Sequence, residues 1–224
     1  LPAYNSIWRL APASQPWNGE RARMLYVPAG RYVVSQPLMF AAHNRTWRTM
    51  ALDNMIHWQG AGRNTTTIVL ADHAPAFQGA RPQALLSFIY PEDQSNVAMT
   101  NFMQDLTLDT GRGNNADGLR FHANNCGGVS RVTVRGPAAA NGSTVGVRLT
   151  NGLTGLALLK DVQVTGFAYG LAVNSTHPGH VVERALFQNQ SRAGVLVLEN
   201  QIAGARGGKE GGEKNKKIRR TQKK

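Results

Sequence analysis

Cysteine is nearly absent: Cys126 is the only one in the 224 residues. An internal disulfide framework and a cysteine-rich zinc site are therefore excluded. Charged residues make up only 17% and aromatics 7%. Such a composition does not build a coiled coil, a long solvated helix or a disordered chain over most of the length. No apolar run reaches the roughly 18 residues that a membrane-crossing helix needs. Helical periodicity is missing as well, with no amphipathic pattern of about ten residues or more between the short apolar runs of the second half. That excludes a doubly wound α/β sheet, whose crossovers are helices. The chain starts at Leu1 with no signal-peptide pattern after it, which reads as a processed, cropped or partial sequence.

Lysine is absent from the body of the chain except at Lys160. The formal charge of +12 is accordingly uneven. Residues 205–224 hold nine Lys/Arg and two Glu, whereas residues 1–204 hold sixteen Lys/Arg and eleven Asp/Glu. The last segment has no aromatic residue and one large aliphatic, Ile218. It cannot form a core and is expected to be a disordered basic tail. A tether for nucleic acid or an anionic surface is one reading of it. The abrupt change in Arg/Lys usage favours a solvated extension instead.

Against these absences stands a repeat. Gly-apolar-x-apolar occurs at Gly118-Leu119-Arg120-Phe121, Gly146-Val147-Arg148-Leu149, Gly170-Leu171-Ala172-Val173 and Gly194-Val195-Leu196-Val197. A second unit interleaves with it: Asp105-Leu106-Thr107-Leu108, Arg131-Val132-Thr133-Val134, Asp161-Val162-Gln163-Val164 and Arg184-Ala185-Leu186-Phe187. Strict alternation marks half-buried strands, so each period of about 25 residues holds at least two. Short strands recurring at a fixed period predict a parallel β-solenoid, in which equivalent residues of successive coils stack in columns. Leu119/Phe121, Val147/Leu149, Leu171/Val173 and Val195/Val197 are expected inside. Asn124, Asn151, Asn174 and Asn200 follow the Gly-units and suit a repeated sharp turn. The first residue of the second unit alternates in sign (Asp105, Arg131, Asp161, Arg184) and is expected to form a ladder of opposite charges that sets register.

The first half is less regular. Met24–Val27, Tyr32–Val34, Met55–Trp58, Thr67–Leu70 and Ala84–Phe88 read as short strands, with turns at Pro28-Ala29-Gly30 and Gly60-Ala61-Gly62. Residues 1–21, with Pro2, Pro12 and Pro16, read as irregular chain. The run Leu25-Tyr26-Val27-Pro28-Ala29-Gly30-Arg31-Tyr32, followed by Gln59-Gly60-Ala61-Gly62-Arg63 and Thr67-Ile68-Val69-Leu70, resembles the pectate lyase superfamily domain. So do Leu106-Thr107-Leu108-Asp109-Thr110-Gly111 and Asp161-Val162-Gln163-Val164-Thr165-Gly166-Phe167. The resemblance spans roughly residues 22–202. It implies an all-β, single-stranded, right-handed parallel β-helix over 22–204. The opening Phe-Gly-Ala-x-Gly-Asp-Gly-type segment of such domains is missing, so the helix is expected to be incomplete at one or both ends.

Several chemistries come with that resemblance, and the fold does not choose among them. Polygalacturonase-type hydrolases carry an Asn-Thr-Asp segment, an Asp-Asp pair, Gly-His-Gly and Arg-Ile-Lys. Here only Asn115-Ala116-Asp117-Gly118 approaches the first. Pectate-lyase chemistry implies calcium held by clustered acids, and Asp109 and Asp117 are the nearest candidates. Arg120 and Arg148 share one outward column in adjacent coils, with His122, Thr150 and Asn174 in the next. Two stacked guanidinium groups can grip a uronate carboxylate. His122 at an exposed position would be a general acid or base.

These residues give a carbohydrate-active reading: an extracytoplasmic protein acting on an acidic, uronate-type polysaccharide as glycoside hydrolase or polysaccharide lyase. The candidate catalytic residues are Asp109, Asp117 and His122. The candidate substrate-binding residues are Arg120, Arg148, Thr150 and Asn174. A non-catalytic adhesion or tailspike-like module is the first alternative, and nucleic-acid binding through the tail the second.

Overall fold

The computed structural model describes residues 23–41, 56–89, 100–123, 126–138, 142–150, 155, 157–175, 179–198, 202–206, 209–211 and 219–220. They form seven stacked coils. The first holds β1 (Arg23–Val27), β2 (Gly30–Val34) and β3 (Leu38–Ala41). The second holds β4 (Ile56–Gly60), β5 (Thr66–Leu70) and β6 (Gln83–Ile89). In the third, β7 (Phe102–Asp109) runs through the first two strand positions and β8 (Ala116–Phe121) fills the third. The fourth repeats this with β9 (Gly127–Arg135) and β10 (Val145–Thr150). The fifth holds β11 (Ala157–Lys160), β12 (Gln163–Thr165) and β13 (Tyr169–Asn174). The sixth holds β14 (His180–Glu183), β15 (Leu186–Gln188) and β16 (Ala193–Val197). The seventh holds β17 (Ile202–Arg206), β18 (Lys209–Gly211) and β19 (Arg219–Arg220).

Every pairing is parallel and joins one coil to the next, so three strand columns run the length of the molecule. One 3-10 turn, Pro75–Phe77, is the sole helical element among the described residues. Each coil is a strand–crossover–parallel strand connection, which L-residues wind right-handed. The molecule is a right-handed parallel β-helix.

The repeat registers as its spacing predicts. Leu106 faces Val132, and Val147 lies between Leu119 and Leu171. Val162 precedes the paired run Gln163–Thr165 against Thr133–Arg135, which sets it beside Val132. These side chains are buried, and Phe88 and Phe121 meet edge to face at 5.1 Å in the same interior column. Val195 is less buried and packs against the end of this core.

The glycine of the repeat serves close approach. A Cβ at Gly146 would strike Val164 and crowd the Gly170 carbonyl, and one at Gly118 would strike Val134 and the Gly146 carbonyl. The third column thus lies hard against the second, and a methyl group there would force the coil apart.

The asparagine turn is expected after the third column, and the corner between the first two columns is a separate turn. Asn124, Asn151 and Asn200 lie outside the described residues. Asn174 ends β13 in the open and is not left-handed. The left-handed corner falls on the charge ladder itself: φ is 60° at Asp105, 52° at Arg131, 55° at Asp161 and 51° at Arg184. Arg131 donates Nε and Nη2 to the two Asp105 oxygens at 2.6 and 2.8 Å. Arg184 grips Asp161 likewise at 2.7 and 2.8 Å. These bonds hold both carboxyls below the usual carboxylate range. Arg63 reaches over from the second coil and donates Nη2 to the Asp161 carbonyl at 2.7 Å.

Residues 1–21 lie outside the described residues. The boundary expected at 204/205 falls inside β17, and strand pairing runs past it. β17, β18 and β19 pair with β14, β15 and β16. The sixth coil presents a row of backbone donors and acceptors, and an extended segment pairs with such an edge even when its side chains form no core.

Candidate active site

The third strand column builds the site. In β6, β8 and β10 alternate residues point into the coil, leaving an outward row of Met39, Ser87, Arg120 and Arg148 in successive coils. A cleft of about 310 Å³ lies over this row, lined also by Pro37, Pro82, Gln83, Ala84 and Asp117.

Asp117 is the buried charge of the cleft, 4% exposed at the start of β8. Oδ1 accepts the Val145 N–H at 2.7 Å, and Oδ2 accepts Arg148 Nε at 2.9 Å. A carboxylate so placed stays in the interior because both its oxygens are bonded and one partner is a cation. Arg120 lies beside Arg148 in register and lines the same cleft as Asp117. Asp117 fixes Arg148 by its Nε, and Arg148 Nη2 donates to the Ser143 carbonyl at 3.5 Å, so the guanidinium on the cleft wall is held from two sides.

The structure thus joins Asp117, Arg120 and Arg148 and separates the other candidates from them. Asp109 ends β7 in the second column, facing Val69 and Arg135. Its Oδ2 accepts Arg135 Nε at 2.8 Å and its Oδ1 the Gly111 N–H at 3.0 Å. Asp109 and Asp117 therefore stand in different columns, each bound to its own arginine. No group of three His, Cys, Asp or Glu side chains converges among the described residues. Two separated, arginine-bound carboxylates do not fit a calcium site, which gathers six to eight oxygens.

His122 departs from the exposed position expected. β8 ends at Phe121, alternation stops there, and His122 is 1% exposed. Burial, and after it the charge of Arg120, pushes its pKa down to about 3. The imidazole is neutral at ordinary pH and does not serve as a general acid there. Asn174 is exposed one position beyond the row, opposite Thr150. Trp58, a residue type that stacks on sugars, is 1% exposed and belongs to the core.

Met39, Ser87 and Gln83 are cleft residues that the repeat did not point to. Coil two carries Leu85 where later coils carry glycine, because Ser87 is opposite Arg120 and Leu86 opposite Leu119. Aligning Leu86/Phe88 with Leu119/Phe121 is the signal that finds them.

The fold and the cleft define the chain as a right-handed parallel β-helix protein with two arginines on one face. The chain belongs to the family described as rhamnogalacturonase A/epimerase, pectate lyase-like, whose model matches residues 18–208. No curated protein sequence matches the chain. Among solved structures it is similar to pectin methylesterase PemA from Erwinia chrysanthemi, at 11% identity and a TM-score of 0.45, over 82% of this chain and 49% of that one. It is also similar to a pectin methylesterase point mutant in complex with a hexasaccharide, at 13% identity and a TM-score of 0.41, over 85% of this chain and 64% of that one. The chain thus spans about half to two thirds of the length of these structures.

Proposed function

We propose that this protein acts outside the cytoplasm on an acidic, uronate-type polysaccharide held in the cleft over β6, β8 and β10. The observation that carries the reading is Arg120 beside Arg148 in adjacent coils, with Arg148 held by a buried carboxylate. A guanidinium fork fixed in place binds a carboxylate with two parallel hydrogen bonds and loses little freedom in doing so.

Of the two reactions considered, elimination uses what the cleft holds better than hydrolysis does. Glycoside hydrolysis calls on two carboxyl groups flanking the bond. Asp117 is the one carboxylate among the described lining residues, and both its oxygens already accept hydrogen bonds. Elimination passes the proton beside the uronate carboxyl to a base, Asp117 being the one carboxylate among the described lining residues; the electron pair spreads onto the uronate carboxyl and then expels the glycosidic oxygen from the neighbouring carbon. Two neighbouring cations, Arg148 fixed by Asp117 and Arg120 beside it, stabilise such a developing charge. The engaged state of Asp117 also favours a second reading, a β-helix that binds the polymer and cleaves nothing.

Binding to polygalacturonate and other uronate polymers, with parallel assays for unsaturated products and new reducing ends, tests both. Arg120→Gln with Arg148→Gln is expected to weaken binding about tenfold or more, as loss of charge-assisted hydrogen bonds does. Arg9→Gln serves as the charge control. Equal losses in the two variants would assign binding to diffuse positive charge and overturn the site. Unsaturated products mean a lyase, reducing ends alone a hydrolase, and neither the binding module.

A further inference from the structure

The cleft is divided along its length. Arg120 and Arg148 stand at the third and fourth coils, whereas Pro37, Met39, Pro82 and Ala84 belong to the first two. Met39 is 46% exposed in the same outward row as the arginines. It stands two coils from Arg120, roughly 10 Å along the axis at the ordinary strand spacing. An extended polymer lying along the row therefore presents different sugar residues to the two ends.

We propose that the cleft selects a partly methyl-esterified uronate chain, with a free carboxylate at Arg120/Arg148 and a methyl-esterified residue at Met39. The inference rests on the uronate reading above and specifies its substrate. A free carboxylate laid on Met39, Pro37 and Pro82 would lose water and find no cation among the described lining residues of that end. A methyl ester carries no charge and brings a methyl group to the thioether and proline surface. Gln83, at the start of β6 on the cleft wall, offers a neutral amide donor suited to an ester carbonyl. At the arginine end the preference reverses. Esterification there removes the charge that makes the bidentate contact strong, and full esterification removes it everywhere.

The test is binding of one uronate polymer prepared at graded methyl-esterification, from none to complete, at fixed chain length and salt. Affinity is expected to peak at intermediate esterification, several-fold above either extreme. Met39→Lys places a cation at the apolar end and is expected to move the optimum to the unesterified polymer. Met39→Leu keeps the apolar surface and should leave the optimum where it was, which separates the charge from any disturbance of packing. Affinity that climbs steadily as esters are removed, and is indifferent to Met39→Lys, would overturn the division of the cleft while leaving the uronate reading intact. Absence of binding at every degree of esterification, with the fold intact, would overturn both.

Discussion

His122 shows what burial does to a residue that sequence alone makes a candidate acid. Its neighbour Arg120 keeps the outward register of the strand, but the strand stops at Phe121 and the next side chain turns into the protein. With a pKa of about 3 in the folded chain and 6.5 when exposed, His122 binds a proton more readily in the unfolded state. Stability is therefore complete above pH 6.5 and falls as pH drops towards 3, through this residue alone by an amount on the order of a few kcal/mol. His122→Gln is expected to flatten the loss of stability between pH 6.5 and 4, read from urea unfolding at a series of pH values. An unchanged slope would mean that the imidazole is protonated in the native protein. The two arginines were legible from sequence because the Gly-apolar-x-apolar unit set their register without help from tertiary contacts. The burial of His122 was not, since nothing in the repeat marks where a strand ends. Nor was the pairing of Asp117 with Arg148, which depends on how the segment before β10 meets β8.

At the scale of the element, the corner between the first two columns places charged residues where glycine would be easier. Asp105, Arg131, Asp161 and Arg184 all adopt left-handed backbone, which costs a non-glycine residue roughly 1–2 kcal/mol. Their alternating charges offset part of that cost through bidentate bonds between neighbouring coils. The sign alternation was visible in the sequence, but the left-handed backbone was not, because Arg has no preference for it. The two contributions separate on substitution. Arg131→Ala loses the ion pair and keeps the strained corner, while Arg131→Gly loses the pair and relieves the strain. The glycine variant is expected to be the more stable by about 0.5–1 kcal/mol, after its greater unfolded-state entropy is counted. Urea unfolding midpoints at matched slope would show this ordering. The reverse order would mean that the alanine variant lets the corner relax to ordinary backbone. The first strand column was the hardest to read: β9 opens on Gly127-Gly128 and β14 on His180, so neither displays the alternation that marks columns two and three.

For the whole molecule, a solenoid is stabilised coil by coil, each coil resting on its neighbours. The seventh coil is unequal in what it brings to that stack. Register sets Ile202 opposite His180 and Ala205 opposite Val182, two buried positions of β14. β18 and β19 consist of Lys209-Glu210-Gly211 and Arg219-Arg220, none of which has an apolar side chain to offer a core. The family match also closes at residue 208, between β17 and β18. We therefore place the functional end of the β-helix after β17, a few residues later than the charge change at 205 suggests. Two truncations test it. A chain ending at residue 208 keeps β17 and is expected to melt within a few degrees of the full chain, since only backbone pairing at an exposed edge is lost. A chain ending at residue 201 strips β17 from β14 and uncovers that end of the core. Its midpoint should fall clearly further, at roughly 2–4 °C per kcal/mol for a domain of this size. A large fall on removing residues 209–224 alone would show that the basic segment packs against the body, and the proposed boundary would then move to the end of β19.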